Sequence, residues 1–188
     1  MAGPIMIIKQ TTIKGFIEFG NVVHTDERGY FEQWFTIHGG EELIGPFEPV
    51  QANTSTSKRG VIRGIHYSNA PSGQAKMVIC VQGKIRDVAV DLRKDSPTFG
   101  KYDVIELEAG DGRVSFIDVG LGHGFEVLSE SATVVYLLSS VHSPFFEQGI
   151  NPLDKTIGID WVTKDPILSE KDKNAQSFTE YNLEMKRD

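Results

Sequence analysis

The chain has 188 residues, 39% of them hydrophobic and 24% charged, with a formal net charge of -7. That size and balance suit one globular domain with a substantial core, and the negative charge argues against non-specific nucleic-acid binding while leaving room for a local basic pocket. The single cysteine, Cys80, excludes an intrachain disulfide and a cysteine-based zinc site, and is compatible with a cytoplasmic location. In chain order, Met1 to Met6 lack the charged start and apolar core of a signal peptide. No stretch approaches the roughly 20 apolar residues of a membrane helix. Ile37 to Ile44 suit a short helix. Met77 to Leu92 read as two β-rich runs around Gly83, as a hairpin would. Val104–Leu107, Val114–Val119 and Thr133–Leu138 are further β-type runs. Ser169 to Gln176 open with a Ser-x-x-Asp start of helical type. Turn signals every 8–12 residues or so predict an all-β barrel or sandwich with short peripheral helices. Residues 1–188 read as one such domain.

Chemistry-bearing side chains concentrate in Arg59-Gly60-Val61-Ile62-Arg63-Gly64-Ile65-His66-Tyr67. The arginine fork suits phosphate, and an imidazole suits proton transfer near neutral pH. Taken alone, these nine residues read first as a core histidine beside two surface arginines. Alternation puts Arg63 and His66 on opposite faces of a regular strand, so a shared pocket requires a bulge or kink, for which Gly64 is the natural place. The five histidines (His24, His38, His66, His123, His142) form no H-x-H or H-E-x-x-H pair. Asp172 reads locally as part of a solvated helix start. Its functional reading is a carboxylate that fixes the tautomer of a histidine. Tyr136 shares a face with Val134 and Leu138, as a core tyrosine or as a proton donor in a barrel interior. Lys76 follows the Gly73-Gln74-Ala75 turn, as a surface lysine or, pointing inward, as a partner for an oxyanion.

Residues 110–124, GDGRVSFIDVGLGHG, look like the second half of a cupin signature. Ser68 stands where a metal cupin would want a second histidine, so no bound metal is expected. More broadly, Asp26-Glu27-Arg28-Gly29-Tyr30-Phe31, Gln51-Ala52-Asn53, RGVIRGIHY (59–67), GQAK (73–76), VDLRKDSPTFGKY (90–102), GLGHGF (120–125) and LSEKD (168–172) occur in that order. Together they resemble the dTDP-4-dehydrorhamnose 3,5-epimerase family. The resemblance implies a cupin-type β jelly roll, a homodimer, and no metal or redox cofactor. It implies a nucleotide-sugar substrate, dTDP-4-dehydro-6-deoxyglucose or a relative, whose C4 ketone acidifies the hydrogens at C3 and C5.

The resemblance also implies roles. His66 matches the base, Asp172 its partner and Tyr136 the proton donor. Lys76 would meet the sugar near the enolate oxygen, His123 would line the same pocket, and Arg63 would bind the diphosphate. Arg28, Phe31, Gln51 and Asn53 match nucleotide and sugar contacts, with Arg28 and Phe31 reaching across the dimer. Glu147 and Lys171 match further binding positions. Gln33 stands where the family usually has glutamate and can still hydrogen-bond. Val141-His142 replaces the usual pair of tyrosines. YLLSSVHSPFFEQGINPLD (136–154) resembles the branch of antibiotic-type deoxysugar pathways, whose members invert C3, C5 or both. The same residues also admit a metal-dependent cupin such as a dioxygenase, built on His66 and His123, or a non-catalytic sugar-binding cupin.

Overall fold

The computed structural model describes residues 6–36 and 44–184; the short helix expected over Ile37–Ile44 falls almost wholly outside them. Thirteen strands are described: β1 (Met6–Gln10), β2 (Phe16–Gly20), β3 (Val23–Asp26), β4 (Gly29–Glu32), β5 (Gln51–Lys58), β6 (Ile62–Ser68), β7 (Lys76–Gln82), β8 (Lys84–Asp91), β9 (Tyr102–Glu108), β10 (Arg113–Ile117), β11 (Leu121–Val127), β12 (Ser131–Leu138) and β13 (Glu147–Gly149). Two helices follow, α1 (Glu170–Lys173) and α2 (Phe178–Glu184). One antiparallel sheet runs β1-β2-β10-β7-β12-β5 and a second runs β13-β6-β11-β8-β9, while β3 and β4 form a separate hairpin.

The two large sheets face each other as a cupin-type jelly roll, around a shared core that includes Phe16, Val78, Ile85, Leu107, Phe125 and Val134. The outer face of the six-stranded sheet carries Ile17, Phe19, Met77, Ile79 and Phe116, covered by Trp34, Phe35 and Phe47. The outer face of the five-stranded sheet carries Ile65, Tyr67, Val90 and Leu92, covered by Ile150, Ile157, Phe178 and Tyr181. Strands buried on both faces lose the clean alternation of half-exposed ones. That is why β2 and β11 are buried along their whole length.

Two elements differ from the sequence expectation. β7 and β8 are not a hairpin. They meet at Gly83 but pair in opposite sheets, β7 with β10 and β12, β8 with β9 and β11. Gly83 takes φ +76°, and a Cβ there would lie 2.1 Å from the Ser131 carbonyl oxygen, so the crossing is tight. The helix expected to start at Ser169 stops at Lys173, capped by Asn174. Asp172 within it is buried rather than solvated.

Candidate active site

The site begins with an irregularity in β6. Arg63 lies opposite Phe125 and His66 opposite His123, so three steps along β6 match two along β11. The extra residue is absorbed at Gly64, which takes φ +115°. A Cβ at Gly64 would sit 2.5 Å from Gly124 Cα and 2.6 Å from the His123 carbonyl oxygen, so only glycine fits. Paired residues of an antiparallel ladder share a face. The bulge therefore turns Arg63 and His66 together onto the inner face, with Phe125 and His123.

His66 Nε2 lies 2.6 Å from Asp172 Oδ1. A carboxylate only accepts, so Nε2 carries the hydrogen and the neutral imidazole keeps a lone pair on Nδ1. The two residues are 106 positions apart. The C-terminal arm joins them by running beside β6, where the Ile62 N–H donates to the Ile167 carbonyl and Val61 bridges Ile167. Ser169 caps α1 by accepting from the Asp172 N–H at 3.1 Å. In a capping box the third helical residue would reach back to the cap; here its carboxylate turns to His66 instead. Burial pushes the Asp172 carboxyl pKa up, but hydrogen bonds from His66, Ser169 and the Gly64 N–H outweigh burial and lower it. Asp172 is thus held ionised beside the imidazole.

The facing wall comes from the six-stranded sheet. Tyr136 stands opposite Asn53 on β5 and Val78 on β7, and Leu138 opposite Gln51 and Lys76. Tyr136 packs on the shared core, which fixes its inward direction. Lys76 is only 7% exposed. Burial pulls its ammonium pKa down, while Glu147 and Asp87 push it back up. Gln51 Nε2 donates to Asn53 Oδ1 at 2.9 Å. Arg63 Nε donates to Ser57 Oγ at 2.9 Å, which anchors the guanidinium and leaves its terminal nitrogens for a ligand.

One buried carboxylate beside these residues escaped the sequence reading. Asp87 is fully buried, with Oδ1 2.7 Å from His123 Nε2 and Oδ2 accepting from Ser115 Oγ at 2.5 Å. Its signal was available: on β8, Ile85, Asp87, Ala89 and Asp91 share one face, and an acid amid apolar neighbours there needs a partner. Asp91 found a different one, the fork of Arg93.

Three expected site residues, Arg28, Phe31 and Gln33, lie elsewhere on this chain. Arg28 pairs with Asp26 and is exposed, and Phe31 is 67% exposed against His24. Their hairpin leaves β2 at Gly20, beside Arg113, whereas Lys76 lies beside Ile117 at the other end of β10. Four residues of strand separate those ends by ~14 Å. Gln33 follows the same hairpin and is exposed, and Lys171 is exposed on α1. Among the described residues, no three His, Cys, Asp or Glu side chains converge as a metal site.

A base-type His–carboxylate pair on one wall, with a tyrosine and a buried lysine on the other, equips a jelly-roll enzyme for proton transfer. The family described as dTDP-4-dehydrorhamnose 3,5-epimerase matches residues 10–180, and the chain belongs to it. Its members are isomerases. A dTDP-4-dehydrorhamnose 3,5-epimerase of Shigella flexneri is 44% identical over 93% of this chain and 97% of its own. The crystal structure of NovW, a 4-keto-6-deoxy sugar epimerase of Streptomyces spheroides, superposes with TM-score 0.92 at 39% identity, covering 98% of this chain and 93% of the other. A His-to-Asn, Tyr-to-Phe double mutant of ChmJ, a 3'-monoepimerase of Streptomyces bikiniensis in complex with dTDP, gives 0.89 at 36% identity, covering 95% and 90%.

Proposed function

We propose that this isomerase inverts C3, C5 or both of a dTDP-4-dehydro-6-deoxyhexose through an enolate. The observation that carries the reading is the His66–Asp172 pair facing Tyr136 and Lys76 across the barrel. His66 Nδ1 takes the proton next to the C4 ketone. The C–H electron pair moves into the ring and leaves an oxyanion on O4, which Lys76 stabilises as a cation. The Tyr136 hydroxyl then protonates the same carbon from the opposite face, the ketone re-forms, and the centre is inverted. The imidazolium of His66 then releases its proton to solvent and the Tyr136 phenolate takes one up, so the reaction is a net isomerisation that consumes no co-reactant and lets solvent hydrogen enter the product. Support for these roles also comes from the ChmJ double mutant, whose replaced histidine and tyrosine are spaced as His66 and Tyr136 are.

Arg63 holds the diphosphate, and Gln51, Asn53, His123 and Glu147 shape the sugar end. Arg28, Phe31 and Gln33 act on the partner's site in a homodimer, which accounts for an exposed arginine and an exposed aromatic side by side on one hairpin. Lys171 binds from the rim. No helix among the described residues is long and apolar enough to cross a membrane; a buried unpaired cysteine suits the cytoplasm, where we place the enzyme.

The test is incubation of dTDP-4-dehydro-6-deoxyglucose with the protein in deuterated water, followed by NMR. Deuterium should enter at C3, C5 or both, with inversion. A folded protein that exchanges neither carbon overturns the reading.

A further inference from the structure

Asp172 reaches His66 at the end of a segment that has little apolar packing to hold it. From Val162 to Lys171 no residue is buried, and Val162 and Ile167 are 63% and 57% exposed. A stretch with so few buried apolar contacts opens readily unless polar contacts secure it. The side chain that secures it is one the acid–base set does not use. Phe125 and Val127 belong to the shared core, so Glu126 between them points to the outer face of β11. Glu126 is fully buried there. Its Oε2 accepts from the Val162 N–H at 3.0 Å and its Oε1 from the Thr163 N–H at 2.6 Å. Arg86, directly opposite on β8, donates to the Asp160 carbonyl oxygen just upstream. On its other side Glu126 stands opposite Ile62 of β6. There the arm is fixed a second time, by Ile167 N–H on the Gly60 carbonyl at 2.9 Å and Ile62 N–H on the Ile167 carbonyl at 3.1 Å. Five residues later comes Asp172.

We propose that Glu126 is a positioning residue of the epimerase site, which grips two consecutive main-chain N–H groups and so holds the C-terminal arm in the register that brings Asp172 to His66. The inference rests on the epimerase reading above. One hydrogen bond would leave the arm free to pivot; two, on successive residues, fix both its height along β11 and its direction. Hydrogen bonds from N–H groups to a carboxylate are the strong kind, and a buried carboxylate that loses them has no water to replace them. Glu126 touches neither substrate nor reacting atoms, so its effect passes through Asp172. The tolerance there is small. Asp172 Oδ1 lies 2.6 Å from His66 Nε2, and a displacement of about 1 Å caused from a distance can cost up to about 10²-fold in rate. The grip of Glu126 lies on the outer face of the sheet and the substrate on the inner, so loosening the arm disorients the base and leaves the binding wall of Arg63, Gln51 and Asn53 intact.

The test is a double-mutant cycle of Glu126→Gln with Asp172→Asn, with thermal unfolding as a check on folding. A carboxamide has one acceptor and sets a donor against the second N–H. In the wild-type background Glu126→Gln should lower kcat about tenfold, with KM changed less than about threefold. In the Asp172→Asn background it should lower kcat less than about twofold, because the contact it protects is already gone. Glu126→Asp keeps the charge but is one methylene short. It should give a smaller loss of the same pattern, so the cycle can be read even where the carboxamide does not fold. In the wild type, hydrogen exchange should show the Val162 and Thr163 amides at least about 10²-fold slower than unprotected ones. Unprotected amides at these two positions, a folded variant with wild-type kcat, or an equal loss in both backgrounds would each overturn the role of Glu126 and leave the epimerase reading standing. Absence of any deuterium incorporation into substrate by the wild type would instead overturn that reading, while the amide protection at 162 and 163 would still report the grip.

Discussion

Tyr136 and His66 occupy opposite walls, so removing one should not disable the other. In Tyr136→Phe, His66 can still take the proton and return one from solvent to the same face. Deuterium should then enter next to the ketone with retention, while inversion falls by at least about 10²-fold, the scale of a lost general acid. Equal loss of exchange and inversion, read by NMR, would contradict separate acid and base. Asp172→Asn replaces an acceptor by a side chain that no longer fixes Nε2–H, so turnover should drop about 10²-fold with KM little changed; a shift in KM alone would argue against its orienting role. The residues themselves were visible in the sequence, but not their company. His66 and Asp172 are 106 positions apart, and no spacing rule joins them; only the ordered motifs did. Asp87 is the reverse case. Its partners were unknowable, yet its place on an apolar strand face was plain.

At the scale of elements, the Gly64 bulge is the joint on which the site turns. Alternation alone required it, because Arg63 and His66 had to share a face, and the ladder supplies it between His123 and Phe125. Gly64→Ala would force a side chain into a left-handed conformation and against Gly124 Cα. The strand must then slip or flatten, at a cost of about 3 kcal/mol or more from strain and overlap together. Both stability in urea and turnover should fall; a variant as stable and active as the wild type would show the backbone there to be tolerant. Ser169→Ala removes only the cap of a single-turn helix, worth ~1 kcal/mol. Its effect should therefore be larger on turnover, through Asp172, than on unfolding. The arch at Gly83 shows what local pattern cannot convey. Two β-rich runs around a glycine look the same whether they pair with each other or cross between sheets, and the choice is made by distant partners.

The whole molecule brings in charge and assembly. Burial pushes the Asp91 carboxyl pKa up, but the Arg93 fork and the Ser96 and Thr98 hydroxyls outweigh it and hold the group well below the usual carboxylate range. Asp172 is lowered as well. A carboxylate with a depressed folded pKa contributes stability above its unfolded value, about 3.9, and that contribution is lost as pH falls through the folded value. Calorimetry should show Tm dropping steeply below about pH 4, and Asp91→Asn should lower Tm at pH 7 while flattening that drop. Identical slopes would assign acid sensitivity to other groups. The exposed hairpin poses the last question, whether Arg28 and Phe31 serve this chain's site or a partner's. In a two-fold dimer each site would combine the barrel of one protomer with the hairpin of the other. His66→Asn and Arg28→Ala protomers should each be strongly impaired alone. Mixed under conditions that exchange subunits, they should regain activity, because half of the hybrid sites pair an intact barrel with an intact hairpin. Random reassortment sets the recovery at about a quarter of the wild-type sites. If the hairpin served its own barrel, no mixture could rebuild a complete site, and activity would stay at the level of the separate variants.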